Sequence, residues 1–404
     1  MGPGALEGIV IVDLTQVLAG PYGTMFMADM GATVIKVEPP WGDSTRNASL
    51  VKNGVSVPYQ MVNRNKDSLV LDLGHPEGAA AFRRLVARVD VVVENYRPGT
   101  MRQLGLGYET LRAINPRLVM ASISGFGQTG PYAKRGGFDI VAQAMSGIMS
   151  VTGEADGPPA KCGLPITDMC AGLFMVQGIL MALLHRERTG QGQYIETSLF
   201  EAGIALSVWQ AAEYWTRGIV PGRMGSAHPF TAPYEAFATR DQHIVIGVSG
   251  GRMWGDLCDV LARPDLATDE RFSTVGARVR NRPALRKALE DELRRESASH
   301  WLERLEAAGI PAAPILAYDQ VYTDPQARAR GMVIDAENGE TPLVGNPVKM
   351  SLTPWRLRRR APSLGQDTEA VLERLGFAPA EIADLKHLGV LDRKEKPHAD
   401  RQDR

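Results

Sequence analysis

"GIVIVDLTQVLAGPYGTMFMADMGATVIKVEPP", residues 8–40, joins two short, mostly apolar runs through a segment with the length of a helix. The two runs, 8–14 and 33–38, are rich in Val and Ile, as buried strands are. The segment between them has Pro21 near its first turn and Gly31 at its end, which is the usual asymmetry of a helix. A strand, a helix and a second strand in this order predict a βαβ unit with parallel strands.

The same alternation of strand-like and helix-like segments continues beyond residue 40. In chain order the segments are "DSLVLDL", "HPEGAAAFRRLVARV", "DVVVENY", "YETLRAIN" and "RLVMASISG". This pattern predicts an α/β fold whose large domain is Rossmann-like, with a doubly wound and mostly parallel sheet. Ligands of such sheets bind at the carboxyl ends of the strands, so we expect a site in the loops after Leu14, Glu38, Tyr96 and Ser124.

The length of 404 residues is enough for more than one domain. Two stretches, "GIVPGRMGSAHPFTA" and "GIPAAPILAYDQV", lack periodicity and are rich in turn residues, which is typical of linkers. We therefore expect a smaller α+β domain inserted into the large one, and a polar tail that is disordered. The expected bounds are a large domain at 1–217, a linker at 218–232, a small domain at 233–309, a linker at 310–322, a return to the large domain at 323–391, and the tail at 392–404.

The composition is that of an ordinary soluble protein, with 44% hydrophobic residues, 23% charged residues and a formal net charge of -1. This balance argues against nucleic acid or a charged membrane surface as the main partner. The uncharged run 169–185 is slightly short for a membrane span, which needs roughly 20 residues, and we expect a buried helix there.

The cysteines and the N-terminus indicate a cytoplasmic protein. Three cysteines without paired spacing predict neither a disulfide framework nor a zinc site. The first residues lack the basic start and the apolar core of a signal peptide. None of the common metal-binding or serine-hydrolase motifs occurs, so we expect no metal.

"GFGQTG", residues 125–130, follows a predicted strand and matches the glycine spacing of a dinucleotide site. In such a site the glycines open a helix, whereas here Pro131 and "YAKRGG" follow, as in a flexible loop. The pattern therefore favours a mobile glycine loop over a site, or plain turn chemistry, rather than a nicotinamide or flavin site.

"VENYRPGT", residues 93–100, ends a central strand with an amide, an aromatic ring and a cation: Asn95, Tyr96 and Arg97. Together these side chains could hold a nucleotide, with a ring for stacking and a charge for phosphate. The alternative, a strand end closed by a Pro-Gly turn with a solvated arginine, is equally compatible with the residues. The later basic run "RLRRR" is typical of a solvated surface.

Asp168 stands alone between the loop-forming "CGLP" and the uncharged run that begins at Met169. A carboxylate at the start of a helix satisfies free amides and favours the positive end of the helix dipole. The same position also suits a reactive carboxylate, because the helix start stabilises negative charge nearby. The residues alone leave capping and catalysis open.

Five long motifs resemble the family III CoA-transferases, a group that includes formyl-CoA and carnitine CoA-transferases. They occur in family order over about residues 6–391: "VLAGPYGTMFMADMGATVIKVEPPWGD", "VENYRPGTMRQLGL", "GFGQTGPYAKRGGFD", "TDMCAGLFMVQGILMALLHRERTGQGQYIETSL" and "APSLGQDTEAVLERLG". The resemblance implies that Asp168 is the catalytic nucleophile. It also implies CoA transfer from an acyl-CoA donor to a small carboxylic acid, through an aspartyl anhydride and an aspartyl-CoA thioester.

The resemblance further implies a CoA site, an interlocked homodimer and no other cofactor. The implied CoA-binding residues are Val17, Leu71, Asn95, Tyr96, Arg97, Lys134 and Asp139. The substrates would be an acyl-CoA, with succinyl-CoA as a candidate donor, and a small acid that could be dicarboxylic. From the residues themselves, Arg46, Arg135 and Arg252 could each meet a second carboxylate, and each could equally be a surface charge or a phosphate contact.

At two places the sequence departs from related enzymes, and these differences bear on which reaction is expected. The related α-methylacyl-CoA racemases use a histidine in the segment that matches "RGGFDIVAQAMSG", where this chain has Phe138. Without the imidazole a proton shuttle lacks one of its bases, which favours a transferase over a racemase or a non-catalytic acyl-CoA binder. The glycine-rich run of the formyl-CoA enzymes is reduced here to "VSGGRMW", so formate or oxalate specificity is not expected.

Overall fold

The structure is a computed structural model that describes residues 3–337 and 339–392. The chain forms two compact units. The first takes in Met1–Ile148, Cys162–Trp209 and Gln326–Arg404, as far as those residues are described. The second takes in Met149–Lys161 and Gln210–Pro325. Residues 149–161, 210–217 and 323–325, all expected in the large domain, therefore group with the second unit, and the tail expected at 392–404 lies almost wholly outside the described residues.

Thirteen strands are present in the described residues. They are β1 Val10–Asp13, β2 Thr33–Glu38, β3 Val51–Lys52, β4 Val55–Ser56, β5 Lys66–Val70, β6 Val91–Glu94, β7 Val119–Ser124, β8 Tyr194–Ser198, β9 Tyr234–Ala238, β10 His243–Gly247, β11 Ala312–Pro314, β12 Val333–Ile334 and β13 Leu343–Val344.

The helices of the described residues number nineteen, besides a short 3-10 helix at Ser44–Asn47. They are α1 Ala19–Asp29, α2 Val57–Val62, α3 Pro76–Val86, α4 Thr100–Gln103, α5 Tyr108–Ile114, α6 Asp139–Met145, α7 Ile148–Val151, α8 Ile166–Thr189, α9 Leu199–Ala205, α10 Val208–Arg217, α11 Gly251–Val260, α12 Pro264–Thr268, α13 Val275–Arg280, α14 Arg282–Leu293, α15 Ala298–Ala307, α16 Tyr318–Thr323, α17 Pro325–Ala329, α18 Thr368–Arg374 and α19 Pro379–His387.

The first unit is built on a six-stranded sheet in the order β5-β2-β1-β6-β7-β8. All five neighbouring pairs of strands are parallel, which confirms the predicted parallel α/β sheet. Successive residues of β1, Ile11 and Val12, belong to two different hydrophobic cores, one on each face of the sheet. The strand order reverses between β1 and β6, and such a switch point is where open α/β sheets bind ligands.

Two helices of this unit, α1 and α8, cross in backbone contact. A Cβ atom on Gly172 would lie 2.3 Å from the carbonyl oxygen of Ala19, and one on Gly23 would lie 2.7 Å from that of Gly172. Only glycine fits at either position, because a side chain would overlap the facing backbone. This contact fixes the position of α8 along α1, and with it the position of Asp168 in the first turn of α8.

By length and composition alone, α8 is the one helix of the described residues that could cross a membrane. A single such helix is weak evidence, because core helices have the same composition. One face of α8, with Ala171, Met175 and Ile179, is buried in the core shared with β1 and β6. The opposite face leaves Leu180, Met181 and Leu184 exposed.

The second unit contains a three-stranded antiparallel sheet in the order β11-β10-β9. Its core packs Phe237 and Ile244 of the sheet against Trp254, Leu289 and Trp301 of the helices. This is the α+β organisation that the sequence predicts for the smaller domain. Residues 218–232, the predicted linker, contain neither helix nor strand.

Candidate functional site

A cavity of about 250 Å³ lies at the switch point of the first unit. It is walled by the loops that follow β1, β6 and β7, by the segment before α6, and by the start of α8. The lining residues are Gln16, Val17, Leu18, Ala19, Asn95, Tyr96, Arg97, Pro98, Ile123, Ser124, Gly125, Arg135, Gly136, Gly137, Phe138, Asp168 and Leu199. The cavity thus brings together five of the eight predicted catalytic and CoA-binding residues: Val17, Asn95, Tyr96, Arg97 and Asp168.

Asp168 is a half-buried residue in the first turn of α8. Its carboxylate takes part in no hydrogen bond or ion pair within the described part of the chain. Burial, together with the negative charge of Asp139, raises the pKa of Asp168 to about 6. A carboxylate whose charge is left uncompensated in a cavity is a candidate nucleophile, since its oxygens are free to react.

The carboxylate that stabilises the start of α8 belongs to Asp139, not to Asp168. The Oδ1 atom of Asp139 accepts hydrogen bonds from the backbone N–H of Thr167 at 3.0 Å and from its hydroxyl at 2.7 Å. The side chain of Gln143 donates to the Oδ2 atom of Asp139 at 2.6 Å. Capping is therefore assigned to Asp139, and the catalytic role of Asp168 stays a prediction.

The amides at this helix start are largely engaged already. Besides the Thr167 amide, the Ile166 and Met169 amides donate to the carbonyl oxygens of Leu164 and Pro165. Fewer free donors therefore remain for an oxyanion than an uncapped helix start would offer.

The loop after β1 is held in place by side chains from neighbouring strands. Val17 has a φ of 69°, a left-handed conformation that a β-branched residue adopts only under constraint. Asn95 donates to the carbonyl oxygen of Gln16 at 2.8 Å and accepts from its N–H at 2.9 Å. Lys36 donates to the carbonyl oxygen of Thr15 at 2.7 Å. The NH2 group and the oxygen of the Asn95 side-chain amide are thus both used to position this loop.

Buried charges lie below the same loop. Lys66 contacts Asp13 at 2.9 Å and Lys36 contacts Asp43 at 2.9 Å, and all four side chains are fully buried. Burial opposes ionisation of Asp13, but the charges of Lys66 and Lys36, with hydrogen bonds from two threonines, lower its pKa to about 2. The carboxyl ends of β1 and β2 are therefore fixed by ion pairs that water does not reach.

The end of β6 presents a further buried acid beside the cavity. Burial raises the pKa of Glu94 to about 7, although Ser122 and the Tyr96 amide donate hydrogen bonds to it. Tyr96 is half-buried and packs on the core, while Arg97 is exposed. Of these residues only Tyr96 and Arg97 reach the cavity.

Three predicted CoA-binding residues do not line the cavity. The Leu71 side chain is 0% exposed in the core, so only its main chain could meet a ligand. Lys134 is exposed outside the lining, and Asp139 is engaged with Thr167 and Gln143. Their assignment to CoA stays a prediction.

The three arginines considered for a second carboxylate differ in position. Arg46 is paired with Glu38 at 2.6 Å and stacks over the Tyr59 ring. Arg252 belongs to the second unit. Only Arg135 lines the cavity that contains Asp168. No sequence pattern ranks these three arginines, because the pairing of Arg46 with Glu38 depends on the packing of the 3-10 helix.

The "GFGQTG" loop precedes no helix until α6 begins at Asp139, so the structural context of a dinucleotide fingerprint is absent, as predicted. A Cβ atom on Gly125 would lie 2.7 Å from the Cα of Gly137. The backbone at Gly125, where the loop begins, therefore touches the backbone at Gly137, just before α6. In the described residues no group of three or more His, Cys, Asp or Glu is placed to hold a metal ion.

Comparisons with known proteins give one family. The model of CoA-transferase family III matches residues 6–368. An acetyl-CoA:oxalate CoA-transferase of Acetobacter aceti is 43% identical over 86% of this chain and 90% of its own. A succinate–glutarate CoA-transferase of Agrobacterium fabrum is 41% identical over 92% and 95%. A solved CAIB/BAIF family protein of Brucella suis is 40% identical, with a TM-score of 0.83 over 93% of this chain and 100% of that one.

Proposed function

Because the chain belongs to CoA-transferase family III, we propose that it transfers CoA from an acyl-CoA donor to a small dicarboxylic acid in the cavity around Asp168. The observation that carries the proposal is the Asp168 carboxylate, which lies without a hydrogen-bond partner in the described residues at the ligand-binding edge of the sheet.

The names of the relatives support dicarboxylic substrates. One relative is named for oxalate and another for succinate and glutarate, and each of these acids carries two carboxylates. Succinyl-CoA is the donor we would try first, since it is the thioester of such an acid, with acetyl-CoA as the second.

The first half of the proposed reaction moves CoA from the donor acyl group onto Asp168. An Asp168 oxygen attacks the thioester carbonyl, the C–S bond breaks, and CoA leaves as a thiolate from a mixed anhydride. The thiolate then attacks the aspartyl carbonyl of the anhydride, releasing the donor acid and leaving an aspartyl-CoA thioester. Covalent catalysis divides the exchange into easier steps, and no ATP is needed because one thioester is consumed and one is formed overall.

The second half reverses these steps with the acceptor acid. A carboxylate of the acceptor attacks the aspartyl thioester, giving a new anhydride and CoA thiolate. The thiolate attacks the acceptor's acyl carbon, and the new acyl-CoA leaves with the Asp168 carboxylate restored. Both covalent species hydrolyse in water, so the site has to limit its access, a role we assign to the "GFGQTG" loop.

We propose that CoA lies along the loop of Val17 and the segment Asn95–Arg97, and that Leu71, Lys134 and Asp139 are at the edge of its path. The dimer is a proposal too, supported by the exposed apolar side chains of α8, which include Leu180, Met181 and Leu184. We also propose that the two chains of the dimer interlock, that the protein has no membrane partner, and that it is cytoplasmic.

Acyl exchange measured by mass spectrometry tests the function. Purified protein is mixed with succinyl-CoA or acetyl-CoA and a set of small acids, with Asp168→Asn as the matched control. We expect a new acyl-CoA that corresponds to one dicarboxylic acid and is absent with the variant. Deuterium uptake at the α-carbon without any exchange would instead indicate a racemase.

A further inference from the structure

Two arginine side chains line the cavity around Asp168, Arg97 and Arg135. Neither has a carboxylate partner in the part of the chain that the structure describes. In contrast, Arg46 and Arg64 of the same unit contact Glu38 and Asp29 at 2.6 and 2.7 Å. A guanidinium that lines a cavity without an acid partner is available to an anionic ligand.

Arg135 is held over an aromatic ring. Its guanidinium carbon lies 4.0 Å from the centre of the Tyr132 ring, an arrangement that favours a cation. Tyr132 packs edge-on against Phe126 at 5.9 Å, and Phe126 packs against Phe200 of α9 at 5.6 Å. These rings connect Arg135 to the first unit, so the guanidinium is restrained more than that of an ordinary surface arginine.

The segment that carries Arg135 is also fixed to the helix that carries Asp168. Gly137 touches Gly125 so closely that a Cβ atom on it would lie 2.5 Å from the Gly125 Cα. Two residues later, Asp139 accepts the amide and hydroxyl of Thr167. The guanidinium and the Asp168 carboxylate are therefore positioned by one continuous set of contacts.

We propose that Arg135 binds the distal carboxylate of the dicarboxylic acid whose other carboxylate reacts at Asp168. This inference rests on the proposed function and names the residue that selects its substrate class. A planar guanidinium matches a carboxylate with two parallel hydrogen bonds. An acid with one carboxylate leaves this interaction unmade, so Arg135 discriminates between the two classes of acid.

Arg97 is assigned to the other anionic ligand. It directly follows Asn95 and Tyr96 at the end of β6, beside the loop of Val17, where we place CoA. An arginine binds a phosphate of the CoA thioester and a carboxylate of the acid through the same charged hydrogen bonds. An experiment therefore has to show which of the two anions each arginine binds. The matched pair of variants is Arg135→Gln and Arg97→Gln.

The test compares succinate with butyrate, which has the same four-carbon chain and one carboxylate, using acetyl-CoA as the donor. For Arg135→Gln we expect the ratio of kcat/KM for succinate to kcat/KM for butyrate to fall roughly 10- to 100-fold, the size of a lost charged hydrogen bond. The KM for acetyl-CoA should not change. Arg135→Lys should retain part of the selectivity, and Arg97→Gln should raise the KM for acetyl-CoA with either acid.

Two results would overturn the assignment of Arg135: an equal loss with succinate and butyrate, or a raised KM for acetyl-CoA. Failure of the wild-type protein to transfer CoA to any acid would instead count against the proposed function itself. Arg135 is exposed, so an unchanged thermal unfolding midpoint of the variant serves as the folding control.

Discussion

The carboxylate of Asp139 accepts the backbone N–H of Thr167 at 3.0 Å, one residue before Asp168. The positive end of α8 is thus compensated by an acid that is distant in sequence, and Asp168 is left without that stabilisation. Two carboxylates close to one helix start repel each other, and this repulsion would end in the proposed anhydride or thioester, in which Asp168 is neutral. The nearby Asp139 would thus raise the energy of the Asp168 anion relative to those intermediates.

The first prediction concerns the pH dependence of the reaction. Asp139 contributes to the raised pKa of Asp168, which is about 6. In Asp139→Asn the amide oxygen still accepts from Thr167, but the negative charge is gone, so the pKa of Asp168 should fall. Because the ionised form reacts, the acidic limb of the pH profile of kcat/KM should move to lower pH.

The control for this variant is Asp139→Ala, which loses the cap as well as the charge. Its free energy of unfolding should fall by about 1 kcal/mol, the usual cost of a lost helix cap, whereas Asp139→Asn keeps that cap and loses only the acceptor for Gln143. An unchanged acidic limb in Asp139→Asn would contradict the electrostatic role of Asp139.

The second prediction concerns the loop after β1. Asn95→Ala removes both hydrogen bonds to Gln16, each worth about 1 kcal/mol, so the loop loses its hold on the left-handed Val17. We expect the KM for the CoA thioester to rise by about tenfold with a smaller change in kcat. Asn95→Asp keeps the acceptor and loses the donor, so its KM for the CoA thioester should lie between those of wild type and Asn95→Ala. Equal KM values for all three proteins would contradict the role of Asn95 in holding the loop.

The third prediction concerns the buried ion pairs. Asp13→Asn leaves Lys66 without its acid partner in a fully buried place, and urea unfolding should show a loss of about 3–5 kcal/mol. The double variant Asp13→Asn, Lys66→Met should lose less than the two single variants added together. Additive losses would mean that the two side chains do not interact.

The ion pair of Asp13 and Lys66 also predicts how the free energy of unfolding depends on pH. The folded-state pKa of Asp13 is lowered to about 2, below its unfolded value of roughly 3.9. Its contribution to stability is therefore present above pH 4 and is lost as the pH falls towards 2. Unfolding experiments between pH 5 and 2 should show a shallower loss of stability for Asp13→Asn than for wild type.

The regular elements could be predicted from the sequence because their signals are local. The apolar runs around Val12 and Ile35 and the helix that contains Pro21 lie where periodicity and turn residues place them. The strand-end rule points to the loops after β1, β6 and β7, which line the cavity, and to the loop after β2, which does not.

The contacts that decide the role of each site residue could not be predicted, because they join residues far apart in the chain. Asp139 and Thr167 are 28 positions apart, and Asn95 and Gln16 are 79 apart. No local pattern distinguishes a capping aspartate from a reactive one, or Arg135 at the cavity from Arg46 in an ion pair. These assignments need the packing of the sheet and its helices.

The proposed role of Asp168 as the nucleophile is tested by trapping the covalent intermediate on its carboxylate. The protein is incubated with succinyl-CoA, quenched with hydroxylamine, digested and analysed by mass spectrometry. We expect a hydroxamate on the peptide that contains Asp168, absent without the thioester and absent from Asp168→Asn, which should still bind CoA but turn over at least a thousandfold more slowly. Full turnover by Asp168→Asn, or a hydroxamate on a different carboxylate, would contradict it.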